Sequence, residues 1–391
     1  MMKKFVSLLA GAALFAACMT GCSGGSTDSS SQESVEKTTA ATEAMESIND
    51  TSGVTVDYSS NFSIEYLEDG IKKVIDGDGR ELILVPKSLG EIPEKYANST
   101  VITTPVQNAI YMSSTQICML RAADNGDIWD SVGAVSSDAS SFSGLNDLIS
   151  RMDNGEILNV GGMMNDPDYE QIQMLNPDVV FVYTGDYGQQ NIISKLDELG
   201  INYAVDNEFL ETDYLARMEW MKFILSFYNA EDEANTYMTN AEQTFSDIKT
   251  KLEGTESKKV AIFNVYDGAA YGISGTGWSG NLLSDVGGTN AFAGMDSESY
   301  TIEALFDCVQ DADVIIYTSA PSICSSMSAI EDAFPQITEC AAYKNDNIYQ
   351  VNDSYWTSID QTDILAEDLA SIIHPDMFPD RSLTYYAKVE K

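Results

Sequence analysis

Histidine is almost absent. The 391-residue chain carries one, His374, which excludes a zinc centre built on two or three imidazoles and any triad that needs another. Basic residues are scarce too. Lysine and arginine total 21 against 61 aspartates and glutamates, a formal charge of −40, so a nucleic-acid backbone would be repelled rather than gathered. No C-x-x-C pair occurs, and the irregular spacing of Cys118, Cys308, Cys324 and Cys340 favours small packing residues over a metal site. Export makes a disulfide among Cys308, Cys324 and Cys340 feasible. The patterns G-x-S-x-G, G-x-x-x-x-G-K-[ST] and H-E-x-x-H are missing as well. What is present, 44% apolar and 21% charged residues, suffices for two medium domains with cores of their own and excludes a fibrous or wholly disordered chain.

The first residues read as an export signal. Lys3 and Lys4 precede an apolar run from Phe5 to Ala17, too short to span a bilayer comfortably, and cysteines follow small residues. Residues 1–21 are therefore expected to be a signal peptide, with Cys22 the lipidated first residue of the mature protein and Cys18 the competing site. Residues 22–53 are rich in Ser, Thr, Glu and Ala and contain no aromatic residue, so they cannot bury enough surface to offset the entropy of ordering. They are expected to form a disordered tether that holds the body roughly 30 Å from a lipid anchor.

The body begins with alternating apolar and polar residues broken by Asp69-Gly70 and Asp78-Gly79, the pattern of a β-meander, assigned to residues 54–100. Strand and helix patterns then alternate. Strands are expected at Asn108–Met112, Ser131–Val135, Val179–Tyr183, Val260–Tyr266, Val314–Tyr317 and Ile348–Val351, an order that means parallel sheets with crossover helices. Ala234, Tyr237, Met238, Ala241, Phe245, Ile248 and Leu252 recur at helical spacing, with acids on the other side. This predicts a long linker helix over 230–253, between an N-terminal α/β lobe over 101–229 and a C-terminal one over 254–391. The lobes echo one another: Gly161-Gly162, Glu170, Leu175 and Asp178-Val179-Val180 in the first correspond to Gly287-Gly288, Glu303, Leu305 and Asp313-Val314-Ile315 in the second. The glycine pairs mark turns needing positive φ, and the apolar runs mark buried parallel strands.

Together with Lys344-Asn345-Asp346-Asn347-Ile348-Tyr349 and Ile373-His374-Pro375-Asp376, these motifs resemble the substrate-binding lipoproteins of ABC importers for ferric siderophores, haem and vitamin B12. The likeness covers Asn108 to Phe378. It implies an α/β fold of two Rossmann-like lobes joined by one long α-helix, the class III periplasmic-binding-protein fold, here carrying an extra N-terminal β-meander. It also implies a monomer without catalytic activity or resident cofactor, anchored by lipid to the outer face of the bacterial cytoplasmic membrane. Its partners would be an ABC permease with a cytoplasmic ATPase. Glu170 and Glu303 fall at the positions where this family docks onto permease arginines, a two-point contact that reports lobe spacing.

Ligands of open α/β sheets sit beyond the carboxyl ends of strands. That rule points to Ser113, Ser114 and Thr115 after the first strand, to Met163 beside Gly162, to Tyr266 and Tyr271, and to Tyr317. The family adds Tyr183, where an aromatic residue often meets the ligand. Trp129, Trp278 and the pair Tyr355 and Trp356 fall in expected loops and offer stacking surface, whereas Trp220 lies on a helix and is expected in the core.

A strongly acidic body with aromatic loops suits a neutral or cationic chelate. Arg121 is the basic residue nearest an expected cleft loop. The cargo is ranked as a ferric siderophore, then a corrinoid, then haem, for which a tyrosine would have to be the axial ligand because His374 lies in a structural turn. No metal site of the protein's own is expected. A carboxylate-pair glycosidase on Asp166/Asp168 or Asp296/Glu298 is the alternative of another class, but nothing in the sequence brings either pair to the separation such chemistry needs.

Overall fold

The computed structural model describes residues 53–123, 126–163, 166–185, 188–273, 275–295 and 299–391. The expected signal peptide, Cys22 and nearly all of the tether lie outside them, as do Asp296 and Glu298.

The first layer is a four-stranded sheet ordered β1 (Ser63–Tyr66), β2 (Lys72–Ile75), β3 (Glu81–Pro86) and β4 (Thr100–Thr104). The first three strands are antiparallel, and β4 joins β3 in parallel, so the sheet exceeds a meander by one strand. Its inner residues Val74, Leu82, Leu84 and Ile102 are buried in the main core.

The N-terminal lobe follows as β5 (Ala109–Tyr111), α1 (Ser114–Cys118), β6 (Val132–Val135), α2 (Asn146–Asp153), β7 (Leu158–Asn159), α3 (Tyr169–Leu175), β8 (Val179–Val182), α4 (Gln190–Leu199) and β9 (Tyr203–Val205). Its strands lie in the order β7-β6-β5-β8-β9, all parallel. Val179 to Val182 are all fully buried, as a strand covered on both faces requires.

Two helices connect the lobes, α5 (Tyr214–Ser226) and α6 (Glu231–Leu252). In α6, Ala234, Met238, Ala241, Phe245, Ile248 and Leu252 are buried, with acids in the first turn and Lys249 and Lys251 in the last, which suits the helix dipole. Helix α5 is buried all round. Phe62 of the N-terminal segment packs on its Trp220 and Phe223, with ring centroids 4.7 and 5.7 Å apart. Its charges are accordingly paired: Arg217 with Glu208 at 2.8 Å, and Lys222 with Glu219 at 3.0 Å. Glu219 also accepts the backbone N–H groups of Asp57, Tyr58 and Ser59, at 2.7 to 2.9 Å. The first layer is thereby fastened to the connector.

The C-terminal lobe runs β10 (Lys258–Tyr266), β11 (Ala269–Gly272), α7 (Trp278–Asp285), β12 (Gly288–Asn290), α8 (Ile302–Val309), β13 (Val314–Tyr317), α9 (Met327–Ala333), α10 (Ala341–Lys344), β14 (Ile348–Val351), α11 (Thr362–Ile373) and β15 (Tyr386–Lys388). The parallel strands lie as β12-β10-β13-β14, while β11 and β15 add antiparallel edges. One core cluster runs from Val74 of the first sheet through Phe181 and Trp220 to Ile316 and Leu365, so both lobes share a hydrophobic interior around the connector helices. Among the described residues no helix is long and apolar enough to cross a membrane.

Candidate functional site

In each lobe one strand has the next parallel strands added on its two sides: β5 lies between β6 and β8, and β10 between β12 and β13. Such switch points open a crevice at the carboxyl ends of the strands. Helix α1, which leaves the carboxyl end of β5, packs on the 3-10 turn Tyr355–Thr357, which follows the carboxyl end of β14. The carboxyl edges of the two sheets therefore meet at the lobe junction, bringing Ser113, Ser114 and Thr115 toward Tyr355 and Trp356.

Ser113 caps α1. Its hydroxyl accepts the Thr115 N–H at 3.3 Å and lies 2.8 Å from the Thr115 hydroxyl. Tyr183, one residue beyond β8, is half-buried and packs edge-on against Phe209 at 5.7 Å; burial raises its phenol. Met163 is half-buried and its sulfur accepts the Ser137 hydroxyl at 2.9 Å. Tyr266 is 46% exposed where β10 turns into β11, and Tyr271 is half-buried on β11. The Tyr355 ring lies edge-on to Trp356 at 5.1 Å and to Tyr386 at 5.7 Å. Burial raises its phenol against the opposing charge of Arg217.

Three aromatics expected to line the cleft, two from loops and one from a strand end, are packed side chains instead. Trp129 sits in a 3-10 segment, Gly126–Ser131, and joins the main core. Trp278 opens α7 and is covered by the Arg217 guanidinium, 4.4 Å above its ring. Tyr317 ends β13 at 1% exposure, its hydroxyl 3.2 Å from both the carbonyl and the N–H of Val265, and burial pushes it up to about 12. None of these has the helical periodicity that reveals core aromatics in a sequence. Trp220 is fully buried on α5.

Arg121 is half-buried and paired with a buried carboxylate. It grips Asp360 with Nε at 2.9 Å and Nη2 at 2.6 Å, across the lobe boundary. Arg217, whose charge faces Tyr355, is held by buried Glu208. Sequence reasoning passed over two polar side chains at the strand ends: buried Gln116, whose amide donates to the Val182 carbonyl at 3.0 Å, and Gln189, whose amide donates to the Met112 carbonyl at 3.2 Å. Gln116 ties α1 to the end of β8, and Gln189, just before α4, ties that helix's start to the end of β5.

Glu170 and Glu303 occupy matching places. Each is exposed in the first turn of its helix, α3 or α8, behind a capping side chain: Asp168 accepts the Gln171 N–H at 2.9 Å, and Thr301 accepts the Ala304 N–H at 3.2 Å. The first turn of α3 lies by the end of β7, where the Asp168 N–H meets the Val160 carbonyl at 2.8 Å. That of α8 lies by β11, where Tyr300 bridges to Ala270. Both glutamates thus stand at the carboxyl edges of their sheets.

Two α/β lobes, a buried helical connector and opposed switch points define a bilobal solute-binding protein of class III type. The periplasmic binding protein family model matches residues 144–355, and the chain belongs to that family. It is 31% identical over 328 residues, 81% of this chain and 78% of the other, to an uncharacterized lipoprotein of Methanocaldococcus jannaschii. Among solved structures it resembles a periplasmic heme binding protein from Pseudomonas aeruginosa, with a TM-score of 0.57 and 12% identity over 73% of this chain and 99% of that one. It also resembles the periplasmic vitamin B12 binding protein of Vibrio cholerae, with a TM-score of 0.52 and 15% identity over 71% and 99%.

Proposed function

We propose that the protein is the extracytoplasmic solute-binding component of an ABC importer, which captures a ferric siderophore or related metal chelate between its lobes and delivers it to a permease. The observation that carries this reading is the meeting of the two carboxyl edges, with Tyr183 on one side and Tyr355 and Trp356 on the other. Aromatic rings give large contact area at low entropic cost, which suits the organic shell of a chelate. Arg121 and Arg217 are each committed to a buried carboxylate, and the chain is strongly acidic, so a neutral or cationic chelate is favoured over a polyanion. Corrinoids are the second choice and haem the third. The His374 ring packs on Gly287, with Nε2 3.3 Å from its carbonyl oxygen, so haem would need a tyrosine ligand.

Delivery is assigned to Glu170 and Glu303, one on each lobe, meeting cationic side chains of the permease. The lipoprotein name of the M. jannaschii relative supports export and a lipid anchor, here at Cys22. The test is thermal unfolding of the protein with ferric hydroxamates, ferric catecholates, cobalamin, cobinamide and haem. A ligand at a hundred times its Kd adds about 2.7 kcal/mol. A shift with one class names the cargo. No shift with any member would contradict the chelate reading.

A further inference from the structure

The turn that carries Tyr355 and Trp356 belongs to the C-terminal lobe by sequence, yet the N-terminal lobe holds it. Arg121, in the 3-10 turn Met119–Ala123 that continues α1, closes a two-point bond on both Asp360 oxygens and also donates from Nη2 to the Thr357 carbonyl. On the neighbouring side the Thr357 hydroxyl donates to the Ser143 carbonyl, and the Ser143 and Ser354 hydroxyls lie 3.1 Å apart. Contacts from their own lobe include the Tyr386 ring, the bond of Ser322 to neighbouring Asp353, and short-range turn bonds, among them Tyr355 N–H to the Asn352 carbonyl at 3.2 Å. The Asp360 side chain is fully buried and that of Arg121 is 20% exposed. Withdrawing the guanidinium would strand a carboxylate in the interior, the costly way to break such a pair.

We propose that Arg121 is a positioning residue: from the N-terminal lobe it sets the place and order of the Tyr355–Trp356 pair, and so presents a preformed aromatic wall at the lobe junction. The guanidinium suits the task because its planar fork satisfies a carboxylate and a carbonyl together, which a lysine ammonium cannot do with the same geometry. The Ser143, Ser354 and Thr357 contacts act beside it. As a ligand element, the wall rests on the reading that solute binds at the junction; its order does not.

The experiment is fluorine NMR on the full chain labelled with 5-fluorotryptophan, with Trp356 assigned by Trp356→Phe. In the parent protein Trp356 should give one sharp line. In Arg121→Met that line should broaden or split, while the line of fully buried Trp220 keeps its shift and width. Arg121→Lys, which keeps the charge but not the fork, should fall between. Asp360→Asn should disturb Trp356 as Arg121→Met does, and serves in its place if that variant fails to fold. A Trp356 line unchanged in both Arg121→Met and Asp360→Asn, even with a lowered melting temperature, would overturn the proposal and leave Arg121 a structural residue only. With a ferric trihydroxamate as probe, Arg121→Met should lose at least tenfold in affinity. If the parent protein itself fails to bind the probe, the chelate reading is at fault, while the Trp356 line still decides the role of Arg121.

Discussion

Asp178 and Asp313 are one structural device used twice. Each donates its backbone N–H to a carbonyl at the start of the lobe's first strand, that of Asn108 just before β5 or of Lys259 in β10, at 2.8 Å in both cases. Each also returns a carboxylate oxygen to backbone N–H groups there: Asp178 to Gln107 and Asn108 at 2.8 and 3.0 Å, Asp313 to Lys259 at 2.8 Å. The repeated Asp-Val thus closes each lobe at the amino ends of its strands, opposite the carboxyl ends where Glu170 and Glu303 stand. The echo between the halves is a repeat of hydrogen bonding as well as of sequence.

Glu170 and Glu303 are exposed, and neither carries weight in a core. Replacing both with alanine is expected to abolish uptake by cells that depend on this protein, while ligand affinity and melting temperature stay within error. Affinity measured by titration calorimetry that fell tenfold would mean the glutamates touch solute rather than permease.

Trp356 is half-buried, unlike Trp129, Trp220 and Trp278. Trp356→Ala is expected to weaken chelate binding by about 2 kcal/mol, a factor of roughly thirty, with a smaller loss of stability. A collapse in melting temperature with unchanged affinity would assign it to the core.

Gly287 has φ +81°, and a Cβ there would lie 2.4 Å from the His374 Nε2. Gly287→Ala should therefore cost about 2–4 kcal/mol in urea unfolding, because strain and a ring displacement add. Gly79, at φ +75° with open space around it, is the control; alanine there should cost only about 1 kcal/mol. Equal costs at the two positions would show that His374 yields freely.

Burial pushes the Asp363 carboxyl up to about 6, from an ordinary value of 3.8, and its Oδ1 is buried without a hydrogen-bond partner. The folded state then holds this proton more tightly than the unfolded chain. Stability is lost as pH rises between about 4 and 6 and is not regained above. Asp363→Asn should accordingly add about 1 kcal/mol at pH 7.5 and nothing near pH 3.5, measured by urea unfolding at each pH. A gain of equal size at both values would contradict the assignment.

Much of the fold was legible because buried parallel strands are written as apolar runs: Val314–Tyr317 and Ile348–Val351 form as expected, and the strand from Val179 ends one residue early, at Val182. Edge strands were not legible. Leu158–Asn159 and Gly288–Asn290 are too short and polar to stand out, and Thr100–Thr104 hides behind a proline-rich loop. Gly161 and Gly162 both take positive φ, whereas of the second pair only Gly287 does; at Gly288 a Cβ would lie 2.3 Å from the Leu283 side chain, so close packing demands the glycine. At the candidate site the limit was distance along the chain. Nothing local shows that Arg121 meets Asp360, 239 residues away; the sequence places it only beside an expected cleft loop. Trp129 and Tyr317 misled for a related reason, since single core aromatics in 3-10 turns and at strand ends carry no periodic signature.

Binding of a chelate between the lobes is best tested by a crystal structure with the chelate that raises the melting temperature most. Density is expected at the lobe junction in contact with Tyr183 from one lobe and Tyr355 or Trp356 from the other, with Arg121 still on Asp360. A chelate bound elsewhere, or held by one lobe alone, would contradict binding between the lobes.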